Sequence, residues 1–244
     1  MQAELQQSGT LVVLCAGALG GILNELVPQF EQRTGCRISF TYERSGMVSA
    51  RVLEGEIVDV VLTTEEHINE LTRHKKILSE SVAIIAGSRI GLAVRAGADK
   101  PDIGSVAAFT ETLLNAKSIA YADPATGSPS GNHFVRVMDR LGIAADMASK
   151  SRRIGPSKGS VVVVCDAVAS GQVELGIQQI SEILAVPGVE LVGPLPPELQ
   201  QVTVFSAAVG AGTGHLELAR LFVAYIASEE VLPVVRRKGM ERMT

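Results

Sequence analysis

Leu11–Gly21 reads LVVLCAGALGG, and ILNELVPQFEQR follows it to Arg33. An apolar strand empties into a turn of small residues, and a helix begins at once with Ile22, Leu23, Leu26 and Phe30 on one face. Such a junction gathers unpaired backbone N–H groups and the positive end of a helix dipole at one point. That point favours an anion.

The same strand–turn–helix unit recurs outward from this stretch. Thr34-Gly35 closes the first helix, Cys36–Tyr42 alternates as a second strand, and Ser45 caps a helix to about Glu54. Val58–Leu62 is a buried strand, and Thr64 caps a helix to His74 with Glu65 and Glu66 in its first turn. Val82–Ala86 and Ile90–Val94 then form two short strands around Gly87-Ser88, where the rhythm changes and a second lobe begins. Helices follow at Ser105–Leu114 and His133–Leu141, with strands at Ser118–Tyr121, Arg152–Ile154 and Val173–Ile177. After the Pro-rich Gly193–Pro197 the chain returns through Val202–Val209 and ends in two helical segments. Strands alternating with helices define an α/β fold of mainly parallel sheets.

Composition narrows the function. The chain has 244 residues, 46% of them hydrophobic, which suits one large or two modest well-filled domains. Six Phe, three Tyr and no Trp disfavour stacking of sugars or bases. A net charge of −4 without a basic cluster argues against nucleic acid. Cys15, Cys36 and Cys165 lie far apart and read as buried thiols. No basic n-region precedes Leu11, and no apolar run reaches the roughly 18 residues of a membrane span. The expectation is a protein without membrane insertion, cytoplasmic as written and periplasmic if an export signal has been removed.

Four turns carry the chemistry: Ala16–Gly21, Arg44–Gly46, Thr126–Gly131 and Ser157–Ser160. Each offers backbone N–H groups at a helix start, and Ser45, Ser128, Ser130, Ser157 and Ser160 add hydroxyls. Taken singly, each is also ordinary helix capping. Together with LEGEIVDVVLTT, DPATGSPSG and GSVVVVCDAVASGQVELGI, the opening segment resembles the molybdate-binding members of the type II periplasmic binding proteins. The resemblance covers nearly the whole chain and implies two Rossmann-like α/β lobes joined by crossing hinge strands. It places lobe 1 at 1–88 plus 198–244 and lobe 2 at 89–197, with an oxyanion held in the cleft.

Carried over residue by residue, the family's second-turn serine falls on Ser45, and its anion-facing backbone positions fall near Ser130 and Val161. Its first-turn serine falls on Ala18, beside Leu19, and its tyrosine falls on Gln179. Two of the hydroxyls that grip a tetrahedral oxyanion are therefore absent. Arg44 and Gln179 instead suit a carboxylate. The candidate ligand site is thus Ala18, Leu19, Arg44, Ser45, Ser128, Ser130, Ser160, Val161 and Gln179, with no metal, no cofactor and no catalytic residue. The partners expected are a small anion and, if the protein is exported, an ABC permease.

Two rivals stand beside this reading. Cys15–Gly20 approximates G-x-G-x-x-G, but Cys cannot serve as the glycine of the tight first turn, and no hydride-transfer set follows. The second rival keeps the fold and adds isomerase-type proton transfer on a small carboxylate, using Glu43, Asp123, His133 or Gln179. His67, His74 and His215 read as exposed helix residues.

Overall fold

The computed structural model describes residues 9–155 and 163–243. The chain forms two compact units, Met1–Gly87 with Val204–Thr244, and Ser88–Thr203. Helices and mixed sheets, each with parallel and antiparallel pairings, make up both, as an α/β fold requires.

Unit 1 is built from β1 (Thr10–Ala16), α1 (Gly20–Thr34), β2 (Arg37–Glu43), α2 (Ser45–Leu53), β3 (Val60–Thr64) and α3 (Glu65–Arg73). It takes the first part of β4 (Ala83–Arg95), which continues into unit 2. Unit 2 holds α4 (Val106–Asn115), β5 (Ile119–Ala122), α5 (Pro129–Leu141), α6 (Ala144–Met147), β6 (Ser151–Ile154) and α7 (Val163–Ala169). It continues with β7 (Leu175–Gln179), α8 (Ile180–Ile183) and β8 (Val189–Pro194). The chain comes back along β9 (Val202–Val209) and completes unit 1 with α9 (Leu216–Ile226), α10 (Leu232–Arg237) and the short β10 (Met240–Glu241).

The strand order in unit 1 is β2-β1-β3-β9-β4, with β10 also on β4. β1 pairs in parallel with both β2 and β3, and β9 runs antiparallel to β3. All five residues of β3 are buried because the pleat sends alternate side chains into two cores. Val60 and Leu62 join Val13, Cys15 and the inner faces of α1 and α9. Val61 joins Leu14, Ala208 and the inner faces of α2 and α3. In unit 2 the order is β4-β7-β5-β6, with β8 also on β4, around a core that includes Phe109, Tyr121, Phe134 and Ile177.

One carboxylate fastens unit 1 together. Asp59 Oδ2 accepts from Val12 N at 2.8 Å, while Asp59 N donates to Val12 O at 2.8 Å. Asp59 Oδ1 accepts from Thr213 Oγ1 at 2.5 Å and faces His215 Nδ1 at 3.3 Å. Gly210 N donates to Asp59 O at 2.9 Å, so β1, β3 and the end of β9 meet on a single residue. Gly210 is required there, since a Cβ would lie 2.0 Å from Val58 O.

Several expectations change in detail. Val82–Ala86 and Ile90–Val94 belong to one 13-residue strand, because Gly87 and Ser88 both accommodate extended backbone and Ser88 is fully buried in it. The strand expected at Val173–Ile177 lies two residues later, which makes Gln178 and Gln179 its last two members. Gly35 ends α1 at φ 73°, the left-handed closure that Thr34-Gly35 suggests. All three cysteines are free and buried, and burial raises the Cys15 and Cys165 thiols above their ordinary value. No helix of the described residues is long and apolar enough to cross a membrane.

Gly210→Ala should lower unfolding free energy by about 1–3 kcal/mol, the usual range for forced overpacking. Gly214→Ala, where a Cβ meets nothing within 4 Å, should be nearly neutral. Urea titration of both variants checks the contrast, and equal midpoints would contradict it.

Candidate ligand site

In unit 1 the parallel strands β1, β2 and β3 deliver their C-terminal ends to one edge, with Ala16 opposite Glu43 and Cys15 opposite Leu62. Three connections leave that edge. The first is the 3-10 turn Gly17–Leu19 leading into α1. Ala18 and Leu19 are buried members of the α1 core, so their side chains are used for packing and only their backbone can face a ligand.

The second connection is Arg44-Ser45. Arg44 rather than Ser45 occupies the N-cap of α2, in extended conformation at ψ 148°, and Ser45 is the first helical residue. This corrects the capping expected of Ser45: the β2–α2 link is one residue tighter, and the cap position belongs to Arg44. Arg44 is only 7% exposed. Its guanidinium carries five donors and stays charged, so burial holds it close to oxygen acceptors.

The third connection is Thr63-Thr64-α3. Thr63 Oγ1 donates to the Ser45 carbonyl at 3.1 Å, locking the end of β3 to the start of α2. Across the sheet Thr63 pairs with Ser206, whose buried Oγ has no partner among the described residues. Thr64 holds the N-cap position of α3, but its hydroxyl meets His67 Nδ1 at 2.7 Å instead of a backbone N–H. His67 is half-buried rather than exposed, and burial lowers its pKa from 6.5 against the opposing pull of Glu66 and Glu70. The imidazole is therefore neutral at pH 7.

In unit 2 the corresponding edge carries the ends of β5 and β7 and the start of α5. Ser128 caps α5, accepting from Gly131 N at 3.5 Å, with Pro129 at the first helical position. Gly131 sits so close to β5 that a Cβ would lie 1.9 Å from the Ala122 carbonyl oxygen. Ser130 Oγ lies 3.3 Å from Ser128 Oγ and donates to Gln178 Oε1 at 2.7 Å. Gln178 is 1% exposed, and its Nε2 has no partner among the described residues. Gln179 Nε2 donates to Thr203 Oγ1 at 2.9 Å, and its Oε1 is likewise buried and unpartnered. Buried amide groups left unpaired cost stability, and here two such groups stand side by side at one strand end.

The structure brings Ala18, Leu19, Arg44 and Ser45 to the edge of unit 1, and Ser128, Ser130 and Gln179 to that of unit 2. Ser160 and Val161 lie outside the described residues. Reading the sequence alone places Gln178 beside Gln179 as an amide suited to a carboxylate, takes His67 for an exposed helix residue, and misses Thr63 and Ser206. The T-x-x-H spacing of Thr64 and His67, a cap and the third helical position, is a signal that could have found the pair. The other acid–base candidates are engaged elsewhere. Glu43 pairs with Arg51 at 3.3 Å, Asp123 accepts from Ala125 N, and His133 Nε2 meets the Leu199 carbonyl at 2.6 Å. No group of three metal-ligating side chains occurs among the described residues.

Two α/β units with donor-rich strand ends are the marks of a solute-binding protein. Residues 11–241 match the family model described as bacterial extracellular solute-binding protein. The chain belongs to that family and has the type II periplasmic binding fold of its molybdate-binding members. It is 32% identical over 238 residues to an aconitate isomerase of Pseudomonas sp, covering 95% of this chain and 87% of that one. It is 23% identical to the molybdate-binding protein ModA of Mycobacterium bovis, over 97% and 86% of the two chains. Among solved structures, the periplasmic molybdate-binding protein of Azotobacter vinelandii superposes with a TM-score of 0.80 at 20% identity, over 96% of this chain and 100% of that chain.

Gln178→Leu should cost less than Ser130→Ala, because it removes an unsatisfied buried donor along with the acceptor of Ser130, whose hydroxyl keeps Ser128 Oγ at 3.3 Å. Ser130→Ala should cost about 1–3 kcal/mol by stripping Gln178 Oε1 of its partner. Thermal melts of the two variants decide this, and a large loss in Gln178→Leu would mark that side chain as structural.

Proposed function

We propose that the chain binds a small organic carboxylate rather than a tetrahedral oxyanion. The observation that carries this is the buried Arg44 beside Ser45, in a site where Ala18 offers no hydroxyl. A tetrahedral oxyanion presents acceptors in four directions and is best met by a cage of hydroxyls and amides. A carboxylate is planar, and its two oxygens match the two-pronged edge of a guanidinium. Within unit 2, Gln178 Nε2 and the first turn of α5 form a second set of donors suited to a carboxylate or a carbonyl group. The relative at 32% identity is named for aconitate, an unsaturated tricarboxylate, which points the same way. As an exported carrier the protein would deliver such a ligand to an ABC permease.

Calorimetry with trans-aconitate, cis-aconitate, citrate, molybdate and sulfate tests the ligand class. Binding of a carboxylate that weakens at least about 10-fold in Arg44→Lys, which keeps the charge but loses the fork, is the expected result. Tight molybdate binding with no carboxylate response would overturn it.

A second reading adds chemistry to the same site: isomerisation of an unsaturated carboxylate by proton transfer, in the cytoplasm. It is favoured by the identity to the aconitate isomerase over 95% of this chain. Proton NMR of trans-aconitate incubated with the protein should show the cis isomer growing in. An unchanged spectrum over hours, with binding intact, would leave the carrier reading alone.

A further inference from the structure

We infer that His67 is the catalytic base at the unit 1 edge, taking and returning through Nε2 the proton of a bound unsaturated carboxylate. The inference rests on the isomerase reading and names the residue that would perform it. Position supports it first. α2 and α3 follow parallel strands, and Ser49 Oγ donates to Glu70 Oε2 at 3.0 Å, which fixes the register of the two helices. One turn back along each lie Ser45 and His67. Thr64 ties the imidazole to the last residue of β3, one residue beyond the Thr63 that holds Ser45. His67 thus stands in the layer of Arg44 and Ser45.

Elimination supports it second. Of the four histidines, His74 ends α3 at the far end from Thr64, and His215 joins Asp59, which precedes β3 at the opposite edge of the sheet. His133 belongs to unit 2 and is bound to a main-chain carbonyl. His67 alone combines a strand-end position with a ring nitrogen left for a ligand, since only Nδ1 is engaged. In the base form Nδ1–H donates to Thr64 Oγ1, which leaves the lone pair on Nε2. The groups that α2 and β3 bring to this layer are the hydroxyls of Ser45, Ser49, Thr63 and Thr64 and the Arg44 guanidinium. Glu66 and Glu70 share its own helix.

The step balances without an oxidant or a second reactant. Nε2 takes a proton from the methylene next to the double bond, and the C–H electron pair spreads over the three-carbon allyl system into its terminal carboxylates. The Arg44 guanidinium offsets the charge that develops. The imidazolium then returns its proton to the former vinylic carbon, and the double bond has moved by one position. Rotation about the bond that is single in the intermediate permits a change of geometry.

The test uses trans-aconitate in D2O, followed by proton NMR for isomerisation and deuterium uptake, with calorimetry on the same samples. His67→Gln should slow both processes at least about 100-fold, as expected for loss of a general base, with affinity changed far less. The wild-type rate should fall on the acid side with a midpoint below 6.5, because the burial that lowers this imidazole keeps it unprotonated to lower pH. Thr64→Val should move that acid limb while leaving ligand affinity in place. His67→Asn serves if the Gln variant fails to fold. Wild-type-like exchange in either folded variant, or an acid limb centred above 7, overturns the role of His67 and leaves the isomerase reading standing. Binding with no exchange in the wild type overturns both.

Discussion

The carboxylate of Asp59 is the constraint on which unit 1 depends. A carboxyl group at that depth survives only where its oxygens are met by donors, and here Val12 N, Thr213 Oγ1 and His215 supply them. Its backbone adds bonds to Val12 and Gly210. The three strands so joined are β1, β3 and β9, and their relative stagger decides where β1 and β3 end. Since the turn Gly17–Leu19 and the Thr63-Thr64 pair are those ends, a fixing point at one edge of the sheet sets the positions of the candidate site's groups at the other. Rigid support of this kind is what a preorganised site requires.

The functional groups divide between the units in a chemically uneven way. Unit 1 contributes a buried cation, hydroxyls and a neutral imidazole, while unit 2 contributes hydroxyls and amides around the start of α5. Relatives that share the fold at about 20% identity are named for molybdate, whereas the one at 32% is named for aconitate. The fold is therefore compatible with different anions, and side chains at a few strand ends select among them.

The fold was largely legible because its signals are local. Apolar runs of strand length, small-residue turns and helical periodicity each identify an element without knowledge of its neighbours, and their alternation implies the architecture. The candidate site was legible only in part. Arg44, Ser45, Ser130 and Gln179 stand in recognisable turns or strand ends. Gln178 matters because Ser130 claims its oxygen from 48 residues away in sequence, and no local pattern encodes that. His67 looked like a surface helix residue because its burial depends on the hydroxyl of Thr64 and on packing between helices. The two short strands proposed around Gly87 were one strand, since glycine and serine punctuate loops in sequence yet fit extended backbone when neighbours pair with it.

The position of β9 has a consequence for biosynthesis. It lies between β3 and β4 in unit 1, yet it comes from the last fifth of the chain, after unit 2 has been threaded. While the polypeptide leaves the ribosome, the inserted unit is complete before the unit into which it is inserted. Throughout that interval β3 presents an unpaired edge of the apolar sequence VVLTT. An edge of that kind is a template for association with other chains. The final residues thus act as a late-arriving seal, and a stalled or truncated product lacking them would be the species most in need of a chaperone.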